Sequence, residues 1–123
     1  KIGAKLMSNV LPKIISGELQ ATPQYSADAS YTKMLKKDDG LLDPTAFSAN
    51  QLVQQIKAQI IYPKSFIQFN NERLIVKKAH ASNHSEHALS VPTKDGDYLT
   101  IESLINKNGK LITANDYINS MFS

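Results

Sequence analysis

The sequence predicts a mainly β domain with peripheral helices, preceded by an amphipathic helix and an extended linker. Three observations lead there. Ile2, Leu6, Val10 and Ile14 recur every four residues, with Leu11 and Ile15 beside them, which is the stripe of an amphipathic helix. Residues 20–30, QATPQYSADAS, are small and polar, carry one proline and show no period, so they read as an extended tether. From residue 65 onward short apolar runs alternate with period two and are punctuated by turn residues, the pattern of antiparallel strands.

The leading helix opens on Lys1-Ile2 with its apolar period already running and no capping residue before it. It is therefore expected to be the end of a preceding domain whose surface it covers. Pro12 removes a backbone donor, so it either kinks this helix or starts a second one. Gly17 suits a C-terminal cap. After the tether comes YTKMLKKDDGLLDP at 31–44, with Lys33, Lys36 and Lys37 ahead of an Asp-Asp-Gly turn and an Asp-Pro stop. Tyr25 and Tyr31 are expected to anchor the tether by packing.

Thr45 or Ser48 caps a second helix running to about Gln59. Leu52, Val53 and Ile56 form its buried stripe, and Gln51, Gln54, Gln55 and Lys57 its wet face. Pro63 stops any continuation. Ser65–Phe69 and Arg73–Ala79 form a hairpin turned at Asn70-Asn71-Glu72. Side chains alternate along the return strand, so Leu74 and Val76 face one way and Arg73, Ile75 and Lys77 the other. Lys57, Lys64, Arg73, Lys77 and Lys78 stand here against Glu72 alone, which is the clearest charge bias in the chain. Ala88–Thr93 and Tyr98–Ile105 are two more strands joined across Asp95-Gly96, with Leu89, Val91, Leu99 and Ile101 directed to a shared interior. Asn108-Gly109 makes a further turn. Thr113 caps a last helix, with Asp116 three positions on and Ile118, Met121 and Phe122 on its apolar side.

Composition removes several function classes. There is no cysteine, hence no disulfide framework, thiolate metal site or cysteine nucleophile. No apolar run approaches the ~20 residues of a membrane span, and no membrane partner is expected. The net charge of +3 permits a polyanionic partner. His80, His84 and His87 would share a face on a helix, as zinc-binding imidazoles do. The segment has no apolar stripe to hold a helix, so a polar surface loop is the simpler reading and no metal site is expected. Nothing resembles a phosphate-binding glycine loop, a nucleophile elbow or a paired acidic motif.

Several stretches together resemble the methionyl-tRNA formyltransferase family. Ala21–Gln24, then Tyr31-Thr32-Lys33, then Lys37-Asp38-Asp39-Gly40-Leu41-Leu42-Asp43 are similar to its interdomain linker. Tyr62-Pro63, Phe66 and Arg73-Leu74-Ile75-Val76 are similar to its first barrel strands. Tyr98–Leu104, Gly109-Lys110 and Ala114–Met121 are similar to its closing strand, turn and last helix. The resemblance spans nearly the whole chain. It implies a small OB-like Greek-key barrel over residues 31–123, preceded at 1–30 by the last helix of a catalytic domain and the linker. It implies a cytoplasmic protein of translation initiation that binds initiator tRNA, and the candidate phosphate contacts, from their charge and position at the hinge and on the hairpin, are Lys33, Lys36, Lys37, Arg73, Lys77 and Lys78. The formyl donor of the parent enzyme, 10-formyltetrahydrofolate, belongs to the N-terminal catalytic domain. That family's catalytic Asn, His and Asp motifs do not stand in this sequence, so no residue here is assigned a catalytic role. Two other classes fit the same residues. One is the equivalent domain of a formyltransferase acting on an amino sugar, or of a formyl-folate hydrolase. The other is a structural or RNA-binding module without a catalytic partner.

Overall fold

A computed structural model describes all 123 residues. The chain divides into two compact units, Lys1–Lys33 and Met34–Ser123. In the first, helix α1 (Ile2–Ile15) runs through Pro12 as one element, and Gly17 follows it with φ +80°, the left-handed cap conformation that glycine adopts without strain. None of its residues is buried, and Ile2, Leu6, Ile14 and Ile15 are all exposed. The tether beyond it holds a single 3-10 turn at Ser26–Asp28. Tyr25 and Tyr31 are exposed, so the expected packing of these two rings is not found.

The second unit begins with a 3-10 turn at Lys37–Gly40 and helix α2 (Ala49–Ala58). Ser48 caps α2 reciprocally: its hydroxyl accepts the Gln51 N–H, and the Gln51 side chain accepts the Ser48 N–H. Leu52 and Ile56 turn inward, as their spacing requires. The strands are β1 (Phe66–Phe69), β2 (Glu72–Ser82), β3 (Ser90–Pro92), β4 (Tyr98–Ile105) and β5 (Leu111–Thr113). Helix α3 (Ala114–Met121) follows β5 directly, capped by the Thr113 hydroxyl on the Asp116 N–H.

The sheet is antiparallel in the order β1-β2-β4-β3, with β5 also on β4. Strand β4 is its axis. It pairs with β2 along one edge, while β3 and β5 share the other, at Tyr98–Thr100 and Ser103–Ile105. No ladder joins β1 to β3, so the sheet remains open, as an OB-like fold permits. Asn70 and Asn71 connect β1 to β2 with positive φ at both positions, the geometry of a two-residue hairpin turn. Leu42, Leu52, Ile56, Leu74, Leu89, Leu99, Ile101 and Leu104 make the core, joined by Ala114 and Tyr117 from α3.

Three details depart from the sequence reading. Strand β2 runs on to Ser82, so His80 stands in the sheet rather than in a loop. Residues 111–113 form a strand of their own. In α3 the packed aromatic is Tyr117, edge-on to Phe69, whereas Phe122 is exposed. No helix is long and apolar enough to cross a membrane.

Candidate nucleic-acid interface

Residues Lys37–Gly40 and Tyr62–Ser65 come together because Gly40 has no side chain. Gly40 is buried, and a Cβ there would overlap the Lys64 carbonyl oxygen. Just beyond, the Leu42 N–H donates to the Phe66 carbonyl at 2.8 Å and Leu41 forms a parallel bridge with Phe66. The Gln59 side chain bonds the Asp39 carbonyl at 3.2 Å, and Tyr62 Oη donates to the Leu35 carbonyl at 3.2 Å. The lysine-rich segment that sequence alone marks as a linker is thus fixed against the sheet from Leu35 onward.

Between these segments and β2 lies a cleft of about 370 Å³, lined by Lys37, Tyr62, Pro63, Lys64, Arg73 and Ile75. Three cations meet there. Arg73 is the most constrained. Its guanidinium lies 3.6 Å from the centroid of the Phe66 ring, Nη2 donates to the Lys37 carbonyl at 3.5 Å, and Nη1 is 3.9 Å from Asp38. Lys64 reaches the cleft from a left-handed backbone, φ +70°. Neither Lys37 nor Lys64 forms an ion pair, and the same holds for Lys33 and Lys36. Asp38 offsets part of the charge on Arg73 alone, and the unpaired charge on Lys37 and Lys64 is what favours an anion here.

The other two lysines singled out from the sequence lie on a bulge of β2. The β2–β4 register shifts on both sides of Lys78, leaving Lys77 half-buried and Lys78 exposed before Ala79 packs against the core. Lys77 Nζ donates to the Ile60 carbonyl at 3.2 Å, just past the end of α2, and Lys78 Nζ is 2.8 Å from Glu102 Oε2. Both are occupied by protein groups. Lys33, at the end of the first unit, is exposed. Sequence alone places Lys64 in the basic bias but gives neither it nor Tyr62 a site role. The crowding of lysines around Arg73 hints at Lys64, but nothing local in the sequence marks the approach of Gly40 that closes the cleft.

The histidines serve separate local purposes. His80 Nδ1 is 3.0 Å from Glu102 Oε1 and Nε2 is 3.0 Å from Glu86 Oε1. The bond to Glu86, then the bond to Glu102, raise its pKa against the opposing effect of burial. Glu102 is held low first by Lys78 and then by His80, and Glu86 is held low chiefly by His80. His87 Nδ1 accepts the Leu89 N–H at 3.1 Å, and His84 Nδ1 lies 2.8 Å from Asn83 Oδ1. No three of the chain's His, Asp and Glu side chains are grouped so as to hold a metal ion.

Residues 34–121 match the model of the formyl transferase, C-terminal domain family. Among curated relatives, the methionyl-tRNA formyltransferase of Sulfurihydrogenibium sp. (strain YO3AOP1) is 30% identical over 128 residues, covering 94% of this chain and 41% of that protein. The methionyl-tRNA formyltransferase of Halorhodospira halophila is 30% identical over 131 residues, covering 97% of this chain and 42% of its own length. That of Treponema denticola is 35% identical over 107 residues, 87% of this chain and 32% of the relative. The chain therefore spans less than half the length of these relatives. In fold it is similar to a crystal structure of HypX from Aquifex aeolicus, with a TM-score of 0.59 at 11% identity, over 96% of this chain and 24% of that one. With the family model covering the whole sheet and both helices of the second unit, this chain belongs to the formyltransferase C-terminal domain family.

Proposed function

We propose that this chain is the tRNA-binding C-terminal portion of a methionyl-tRNA formyltransferase. The parent enzyme would transfer a formyl group from 10-formyltetrahydrofolate to the amino group of methionyl-initiator-tRNA in the cytoplasm, with the chemistry in an N-terminal domain of the same polypeptide. The observation that carries the RNA-binding role is the cleft between the linker end and β2, where Lys37 and Lys64 stand beside Arg73 without ion-pair partners. Lysine suits a point contact to phosphate, and the single arginine is already committed to Phe66 and the Lys37 carbonyl. Lys37 and Lys64 line this cleft and are proposed as phosphate contacts, together with Lys36 and Lys33, which form no ion pairs. Arg73 lines the cleft and contributes charge. Lys77 and Lys78 contribute at longer range, since each already has a protein partner.

A salt titration of initiator tRNA binding tests this. With about four phosphates neutralised, log affinity should fall against log salt with a slope of about −3 to −4, at roughly −0.7 to −0.9 per phosphate. Replacing Lys33, Lys36 and Lys37 by alanine should flatten the slope by about two to three units. It should leave the melting temperature nearly unchanged, because exposed substitutions typically cost less than about 0.5 kcal/mol. A flat titration for the parent chain would leave a domain that only packs against its neighbour.

A further inference from the structure

On the other side of the β1–β2 hairpin end lies a second cleft, of about 740 Å³, twice the volume of the first. Its walls are the hairpin turn at Asn70, the β4–β5 turn at residues 106–110, and α3. The two clefts are neighbours through the backbone. Glu72 lines the second and Arg73 the first, and consecutive Cα atoms are about 3.8 Å apart. Their side chains leave β2 on opposite faces, so a chain of phosphates crossing the hairpin end meets both.

The chemistry of the second cleft differs from that of the first. Lys107 and Lys110 face Glu72 and Asp116, so its formal charges balance. Glu72 is compensated locally: Tyr117 Oη donates to Oε2 at 3.0 Å, and Lys107 Nζ is 3.6 Å from Oε1. Lys110 forms no ion pair, and its N–H is fixed by Asn106 Oδ1 at 3.0 Å, which sets the shape of the turn. Asn70 and Asn108 line it with amides, the Asn70 Nδ2 lying 3.7 Å from Met121 Sδ, and Ile112 and Met121 add apolar surface. A charge-balanced site lined by amides and apolar side chains is poorly suited to a bare anion. It suits a polar ring attached to one phosphate. Its volume falls within the roughly 300–1,000 Å³ of ordinary small-molecule sites. Bases inside a duplex are stacked and offer neither face, whereas an unpaired base offers both its faces and its hydrogen-bonding edge.

We propose that this second cleft holds an unpaired ribonucleotide of the bound RNA, with its phosphate at Lys107 and Lys110 and its base over Ile112 between the Asn70 and Asn108 amides. The inference rests on the RNA-binding reading above.

Two fluorescent probes test it: a single-stranded oligoribonucleotide and a blunt RNA duplex, each titrated with salt against the full chain. The Lys107→Ala/Lys110→Ala variant should lose about 0.7 units of slope on the single strand, the share of one phosphate at roughly −0.7, and keep its slope on the duplex. Because Lys107 also touches Glu72, Lys110→Ala alone provides a second variant, expected to lose about half as much. An unchanged slope on the single strand removes the site. An equal loss on both probes overturns the unpaired nucleotide in favour of general electrostatics. Either result leaves the first cleft standing if Lys36→Ala/Lys37→Ala weakens binding to both probes. Absence of salt-dependent binding by the parent chain removes both readings together.

Discussion

Replacing Gly40 by alanine sets two effects of opposite sign against each other. The backbone at Gly40 lies outside the left-handed region, unlike that at Gly17, Gly96 and Gly109, so alanine can adopt it without strain. Restricting the unfolded chain would then stabilise the protein by about 0.4–1 kcal/mol. Against this, the new methyl group would overlap the Lys64 carbonyl oxygen and come within 3.4 Å of the Phe66 ring. The oxygen belongs to the backbone, so no side chain can rotate away, and the Lys37–Gly40 turn must move off the 62–66 segment. Overpacking of this kind costs about 1–3 kcal/mol. The net expectation is a loss of about 1–2 kcal/mol, or a melting temperature lower by about 5–15 °C for a unit of this size. Thermal denaturation followed by circular dichroism reads the first quantity. Urea denaturation should show a lower midpoint with an unchanged slope. Lys64→Ala should not rescue the variant, because the clash is with the main chain. A Gly40→Ala protein that melts higher than the parent would refute the close approach, and with it the account of how the cleft is closed.

Two further outcomes follow from the same geometry. A neutral imidazole has one N–H and cannot donate to both Glu86 and Glu102, so folding favours protonated His80. Its folded pKa lies above the ordinary 6.5, so this contribution is complete below about pH 6.5 and is lost as pH rises through the folded value. The depressed Glu86 and Glu102 contribute in the opposite sense, above their ordinary 4.5, and lose their contribution as pH falls through the folded values. Melting temperature should therefore decline from the mildly acidic to the mildly alkaline range in the parent. The decline should be shallower in His80→Gln, and equal declines in the two proteins would contradict the clasp. Separately, a chain beginning at Gln20 should keep the parent's cooperative transition for residues 34–123, because α1 buries none of its residues. Loss of that transition on calorimetry would mean that the helix belongs to the core of the second unit.

Periodicity and turn chemistry made most of the fold legible before any coordinates. The spacing of Leu52 and Ile56, a cap at Thr45 or Ser48, the Asn70-Asn71 hairpin and the span of β4 are local properties. Each depends on residues within a few positions of one another, so a linear reading reaches them. The resemblance carried by the Lys37–Asp43 and Tyr98–Leu104 segments pointed to the family that the comparison of residues 34–121 bears out. What the sequence could not supply were distances between segments far apart in the chain. The register shifts on either side of Lys78, and the pairing of β2 with β4 that brings Lys78 and His80 to Glu102, join residues more than twenty positions apart. Residues 111–113 are a strand only because β4 offers them the half-edge that β3 leaves free. The sequence by itself determined the helices, the hairpin, the excess of lysines and the family, because pattern and propensity act locally. Only the tertiary structure decided which cations are free. An ion pair or a cleft is set by through-space distance, and that distance is fixed by contacts such as Gly40 against the Lys64 carbonyl, which leave no trace in local sequence.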